Sequence, residues 1–168
     1  ITTLANDGGD PFQFETQENL LFKGKASVIN GYFSFEFMIP KDITYNFGNG
    51  KIVYYSQNSE MDANGYYNQL IIGGTNPFFS PDDQGPDISL FLNDDNFLDQ
   101  GISNTNPVIY AEINDASGIN TVGNGIGHDI TGILDNDASN PIILNDFFET
   151  EIDDFTSGKL AYPLSNLS

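Results

Sequence analysis

The 168-residue sequence carries 24 acidic and 5 basic side chains, a formal net charge of −19, and no cysteine. The lack of cysteine excludes thiol nucleophiles, disulfides and zinc–thiolate sites, and a surface without arginine makes nucleic acid and anionic membranes poor partners. No apolar run reaches the ~20 residues of a membrane span, so direct membrane insertion is not expected. A start at Ile1 without a signal-peptide pattern suggests a processed or excised segment.

Alternating apolar and polar residues predict eight short strands along the chain. They lie at 22–28, 32–39, 50–56, 67–74, 87–93, 107–115, 128–135 and 158–164. Asn30-Gly31 is a strong hairpin signal between the first two strands, and only residues 144–155 could hold a short helix. Short strands separated by Gly, Pro, Asn and Asp predict an all-β fold, an antiparallel β-sandwich of the immunoglobulin-like or jelly-roll-like kind.

The length favours a single β-sandwich domain over residues 1–168. The loop at 76–87 is rich in Pro, Gly and Asp, so it is the candidate sub-boundary within the chain. The apolar side of the alternating runs predicts the buried residues. They include Phe33, Phe35, Phe37, Leu90, Leu92, Ile109, Ile130 and Leu134.

The only histidine, His128, is followed directly by Asp129. In a Ser-His-Asp site the acid holds the imidazole from one side while the nucleophile meets the other. Neighbouring residues of a strand point to opposite faces, so Asp129 is badly placed for that task. Alternating Gly123, Gly125 and Gly127 favour a tight backbone path before the histidine, which is therefore interpreted as structural.

Calcium is the candidate ligand of the loop at 135–146. The loop places Asp135, Asp137 and Ser139 at positions one, three and five, Ile142 at eight and Asp146 at twelve, with Asn140 in place of the usual glycine. No helices are predicted to flank this loop, and aspartate is shorter than the bidentate glutamate of an EF-hand. A hydrogen-bonded Asx turn is therefore the alternative.

Several longer runs carry a family resemblance, among them "DISLFLND", "NPVIYAEINDASGINTVGNGIGHDITGILD" and "NPIILNDFFETEIDDFTSGKLAYPLSNL", with "FSFEFMIPKDITYNFGNGKIVYYS" upstream. Together they resemble the β-rich region that follows the catalytic domain in the PorU sortases. These are gingipain-like cysteine peptidases of family C25 in the type IX secretion system of Bacteroidetes. The resemblance covers the chain from about Leu20 onward.

The resemblance implies a parent that cleaves C-terminal sorting signals from secreted cargo and attaches the cargo to surface lipopolysaccharide. The catalytic Cys and His of that family lie upstream, and no residue here matches their motif. It therefore implies a noncatalytic accessory domain at the cell surface, with the upstream peptidase domain and outer-membrane type IX secretion proteins as partners. The family commonly continues after "YPLSNL" with another strand, whereas this sequence stops at Ser168, so the sandwich is expected to lack one strand and expose an edge.

Two other functions stay open on the residues alone. The first is an independent calcium-stabilised sandwich that binds carbohydrate or a surface through Tyr66 and Tyr67. The second is a hydrolase built on His128 or a carboxylate pair, which ranks last because no accompanying nucleophile or metal motif supports it.

Overall fold

A computed structural model describes residues 2, 8–12, 20–39, 47–74, 76–78, 82–121 and 129–167. Its strands are β1 (Gly48–Gln57), β2 (Asp62–Ile72), β3 (Asp87–Leu92), β4 (Val108–Asn114), β5 (Thr131–Gly132), β6 (Ile142–Ile143), β7 (Phe148–Thr150) and β8 (Ser157–Pro163). All strands pair antiparallel, and the helix found in these residues is a short 3-10 turn at Asn145–Phe147. The predicted all-β class is confirmed, and the arrangement is consistent with a sandwich-like fold. None of the described helical residues forms a segment long and apolar enough to cross a membrane.

The core lies on one face of a four-stranded sheet with the order β3-β4-β8-β7. Side chains alternate between the two faces of a strand, so Ala111 and Ile113 point into the core while Glu112 points to the opposite side. Across the sheet, Ala111 pairs with Leu160, which in turn pairs with Phe148. Leu160 is only 2% exposed, so this apolar row is the centre of the packing.

A glycine in β8 makes the close contact with β7 feasible. A Cβ atom on Gly158 would lie 2.2 Å from the Phe148 ring and 2.6 Å from the Glu149 carbonyl oxygen, far inside contact distance. Only a residue without a side chain therefore lets the aromatic ring approach this strand so closely.

Strands β1 and β2 form a separate two-stranded ribbon with an irregularity in register between Gly50 and Ile52. On its half-buried face, Tyr54 meets the ring of Phe33 edge to face, with centroids 5.3 Å apart. Phe33 also lies near Phe35, which lies near Phe37, at centroid distances of 6.4 and 6.1 Å. The three phenylalanines thus share one face of an extended segment, as their spacing predicts.

The predicted turn at Asn30-Gly31 is confirmed. Both residues have positive φ, 53° and 83°, and Ile29 and Tyr32 exchange two backbone hydrogen bonds across the turn. Within residues 20–39, the segments before and after the turn pair only through this bridge. The predicted two-stranded ladder is therefore shorter than expected.

The segment before this turn is attached to the end of β7. Lys25 forms a parallel bridge with Ile152, its carbonyl oxygen accepts a hydrogen bond from the Asp153 amide, and its ammonium pairs with Glu149. The Asp153 carboxylate accepts a hydrogen bond of 2.7 Å from the Ser27 amide. The N-terminal segment therefore covers the sheet on its β7 side.

Several expectations from the sequence are wrong in detail. The segment 144–155, which could have held a short helix, has a 3-10 turn followed by β7, because Phe148 and Thr150 are buried at a spacing of two residues, which suits a strand. The strand predicted at 128–135 is reduced to Thr131–Gly132 in the described residues. Four residues predicted to be buried are exposed: Phe33, Phe35, Leu90 and Leu134. Phe37, Leu92, Ile109 and Ile130 are half-buried.

Candidate functional site

The outer side of β3 is the most unusual feature of the sheet. Strand β3 pairs with β4 on one side, and in the described part of the chain no strand pairs with it on the other. We call the side of Asp87–Leu92 that faces away from β4 the β3 edge. Such an edge presents unpaired amide and carbonyl groups that can accept a further strand.

The hydrogen-bond pattern identifies the residues whose backbone groups face outward. The Asn93 amide donates to the Val108 carbonyl at 2.7 Å, so this opposed pair is of the hydrogen-bonded type. Such pairs alternate with non-bonded pairs along an antiparallel ladder. The continuous register therefore directs the amides and carbonyls of Ile88 and Leu90 and the amide of Leu92 away from β4. The Leu92 carbonyl oxygen accepts a hydrogen bond of 2.9 Å from the Asp94 amide.

Bonds on the far side of β4 agree with this assignment. The Asp115 amide donates to Thr156 and the Pro107 carbonyl accepts from Leu164, both at 2.8 Å. The backbone amides and carbonyls of the odd-numbered residues at the ends of β4 therefore face β8. Those of the even-numbered residues of β4 face β3.

The side chains of the same residues are apolar and exposed. Ile88 stands directly opposite Ile113, and Leu90 stands opposite Ala111, so all four lie on the core side of the sheet. Ile113 and Ala111 are each 4% exposed, whereas Ile88 is 60% and Leu90 is 68% exposed. The apolar face of the core therefore continues onto β3, where Ile88 and Leu90 are largely exposed.

Acidic residues surround the β3 edge. Residues 82–99 contain six aspartates and no lysine, arginine or histidine. These are Asp82, Asp83, Asp87, Asp94, Asp95 and Asp99. The local potential around the strand is therefore negative at both of its ends.

In the part of the chain that the structure describes, the β3 edge has no lysine, proline, bulge or covering strand that would protect it from further pairing. Protected edges carry a lysine, a proline, a bulge or a covering segment. The sequence of β3, DISLFL, has neither lysine nor proline, and its register with β4 is continuous. The opposite edge at β7 is covered by the segment around Lys25. Among the described residues, the sheet is thus covered at its β7 edge and unpaired at its β3 edge.

The predicted calcium loop forms a hydrogen-bonded turn around Asp137. Its carboxylate accepts bonds from the Ser139 amide at 3.1 Å and from the Asn140 side chain at 2.7 Å. The Ser139 side chain, followed by Asn140 and the Ser139 amide, holds the pKa of Asp137 below its ordinary value. These contacts are those of the Asx turn, the alternative for this loop.

The three predicted ligands, Asp135, Asp137 and Asp146, are not brought together as a cluster. Among the described residues, no group of three or more His, Cys, Asp and Glu side chains is placed to hold a metal ion. Asp135 and Asn136 both adopt positive φ, 52° and 59°, in the bend that precedes Asp137. Calcium binding at this loop stays a prediction.

The histidine considered as a catalytic residue, His128, lies outside the described residues, as do Gly123, Gly125 and Gly127. Its neighbour Asp129 is exposed. The interpretation of this histidine as structural therefore stays a prediction.

The face of the sheet opposite the core carries a polar group centred on Lys159. Its ammonium lies 2.9 Å from a Glu151 oxygen and 3.8 Å from a Glu112 oxygen. The hydrogen bond and charge of Glu151 raise the pKa of Lys159, which favours a protonated ammonium over a nucleophilic amine. Nearby Ser157 donates its hydroxyl to Asp154 at 2.7 Å. This arrangement suits an ion-paired surface better than a reaction centre.

The exposed tyrosines of the ribbon are divided between its two faces. Tyr66 pairs with Val53 and Tyr67 pairs with Ile52, so the two tyrosines predicted to act together point in opposite directions. Tyr55, two residues beyond Val53, shares the face of Tyr66. The Lys51 ammonium lies 5.1 Å from the centre of the Tyr66 ring, within cation–π range.

Comparison with known proteins found a partial similarity among the solved structures. No protein-family model matches the chain, and no curated protein matches it. Among solved structures, the crystal structure of dimeric latent PorU from Porphyromonas gingivalis is similar, with 32% sequence identity, 84% of this chain covered and a TM-score of 0.47. At this TM-score the superposition does not define a shared fold. The chain spans about an eighth of that protein, since 13% of its length is covered.

Sequence reasoning missed two elements of this arrangement. Ile88 precedes Leu90 by two residues in an alternating run between acidic loops, so a signal for an apolar strand face was present in the sequence. The bond between Ser27 and Asp153 had no local signal, because the two residues are 126 positions apart.

Proposed function

We propose that this chain is a noncatalytic accessory β-domain of a PorU-like sortase of the type IX secretion system. In this proposal the parent peptidase cleaves C-terminal sorting signals and attaches cargo at the cell surface. The domain serves as a scaffold or as a docking surface for the upstream peptidase domain and for outer-membrane partner proteins.

The observation that carries the proposal is the sequence resemblance, above all the run from Gly118 to Asp135, "GINTVGNGIGHDITGILD". The described part of this run follows the core strand β4 and includes β5. The chain as a whole contains no cysteine, the nucleophile that a family C25 peptidase requires. A binding role needs surface rather than a nucleophile, and the open β3 edge offers such a surface.

The experiment is removal of this segment from the full-length parent in cells. We expect the purified parent without the segment to keep cleaving a short sorting-signal peptide, because the catalytic residues lie outside it. We expect cargo attachment at the surface to fall, because docking is lost.

Two results would contradict the proposal. The first is loss of peptide cleavage by a peptidase domain that is still folded, which would assign catalytic residues to this segment. The second is normal cargo attachment without the segment, which would leave it no accessory role.

The exposed tyrosines support a second candidate, a carbohydrate- or surface-binding sandwich stabilised by calcium. Tyr55 and Tyr66 share the exposed face of the ribbon, where aromatic rings could stack against sugars. Under this function, Tyr55→Ala and Tyr66→Ala each weaken retention on a glycan array, whereas Tyr67→Ala on the opposite face does not. Equal retention by all three variants and the wild type would reject it.

A further inference from the structure

We infer that the β3 edge binds an extended segment of a partner protein, one with alternating apolar residues flanked by lysine or arginine. The segment adds as a fifth strand to the sheet, next to β3. This inference deepens the docking role proposed above and rests on it, because it specifies the surface and the chemistry of the partner.

The backbone provides the first part of the argument. Ile88 and Leu90 direct their amides and carbonyls away from β4, and Leu92 directs its amide outward, so an incoming strand can pair with this row. Main-chain pairing of this kind supplies affinity for extended peptides, while alternate side chains supply selectivity. The register between β3 and β4 is continuous, so no bulge interrupts this row.

The side chains require the partner to be apolar at alternate positions. Residues of the added strand that stand opposite Ile88 and Leu90 lie on the core side of the sheet. There they would extend the row that Ile113 and Ala111 begin, and would cover the exposed surface of Ile88 and Leu90. Burial of this apolar surface favours association.

Charge selects the class of partner. A second copy of the chain, paired edge to edge, would bring the six aspartates of each copy within residues 82–99 close together, in a protein of net charge −19. A segment with basic residues at both ends would instead meet those aspartates with opposite charge. The occupant is therefore a basic segment of another protein.

The probe is a fluorescent peptide, Lys-Lys-Val-Thr-Val-Thr-Val-Lys-Lys, titrated into the full 168-residue chain. Its control has glutamate in place of every lysine. We expect the basic peptide to bind and the acidic one not to. We expect amide hydrogen exchange at Ile88, Leu90 and Leu92 to slow on binding, while the amides of Ser89 and Phe91, already paired with β4, change little.

Matched variants separate strand addition from simple charge attraction. Leu90→Lys and Ser89→Lys add the same charge one residue apart. Only Leu90→Lys removes an apolar side chain from the core side of the sheet, where the side chains of the peptide are expected to pack. We expect Leu90→Lys to weaken peptide binding about tenfold more than Ser89→Lys does. Since Leu90 is 68% exposed, this variant should keep the wild-type circular dichroism spectrum.

Three results would overturn the inference: equal weakening by the two variants, equal binding of the acidic peptide, or protection of the same amides by self-association without peptide. None of these results depends on the peptidase parentage. Failure of this inference is therefore distinguishable from failure of the proposed function, which the deletion experiment tests.

Discussion

Replacement of a buried leucine by alanine tests the position of the core. Leu160 is 2% exposed and lies in β8, between Ala111 on β4 and Phe148 on β7. A Leu→Ala change at such a site loses the transfer free energy of the removed methyl groups and leaves a cavity, about 2–5 kcal/mol in all. Strands on both sides limit collapse of the cavity, so we expect Leu160→Ala to lower the free energy of unfolding by about 3–4 kcal/mol.

Leu90→Ala is the matched control, since it removes the same atoms from the same face of the sheet. Leu90 is 68% exposed, so only about a third of its surface is buried, and its truncation removes correspondingly little buried apolar area. We expect a loss of about 0.5–1 kcal/mol. For a chain of this length, each kcal/mol shifts Tm by about 2–4 °C, so the two variants should differ by roughly 10 °C.

The assay is urea and thermal unfolding followed by far-ultraviolet circular dichroism, because the chain has no tryptophan for fluorescence. Coincident transitions from a second probe establish two-state behaviour before free energies are compared. Equal losses for Leu160→Ala and Leu90→Ala would refute the reasoning, since the difference in burial is the whole basis of the prediction.

Three further predictions follow from the described residues. Hydrogen bonds from Ser27 to Asp153, and from Thr156 and Ser157 to Asp154, hold the pKa of both carboxyls below their ordinary value of 3.8. Their contribution to stability is therefore present above that pH and lost as the pH falls through the lower folded value. Tm should fall in acid, less steeply in Asp153→Asn, which keeps an acceptor oxygen; identical pH profiles would contradict this. If Asp135, Asp137 and Asp146 bind calcium, Tm rises with calcium, by the equivalent of about 2.7 kcal/mol when calcium is a hundredfold above Kd. The double variant Asp137→Asn with Asp146→Asn then loses this response. Identical melting of wild type and variant at every calcium concentration would show that the loop is a hydrogen-bonded turn without a bound metal. The purified chain should cleave no sorting-signal peptide, because it contains no cysteine; cleavage followed by mass spectrometry would overturn this expectation.

Alternation in the sequence predicts three strands of the four-stranded sheet well. The runs at 87–93, 107–115 and 158–164 differ from β3, β4 and β8 by one residue at either end at most. Each strand has a regular two-residue period, and glycine, proline, asparagine or aspartate lies at its ends. The turn at Asn30-Gly31 is predictable for a similar reason, since both residues tolerate positive φ.

The same pattern cannot tell whether an apolar face is covered. Leu90 and Ala111 lie on one face and face each other, yet only Ala111 is buried, because β3 is at the edge and β4 is interior. Strand order depends on long-range pairing that periodicity does not encode. The apolar residues of the candidate site were therefore visible in the sequence, but their exposure required the structure.

The complete reading frame that contains this chain tests the central claim most directly. The proposal predicts that sequencing upstream of Ile1 reveals, in the same frame, a peptidase domain with a catalytic Cys-His pair. A complete frame without any peptidase domain would contradict the assignment to a PorU-like sortase.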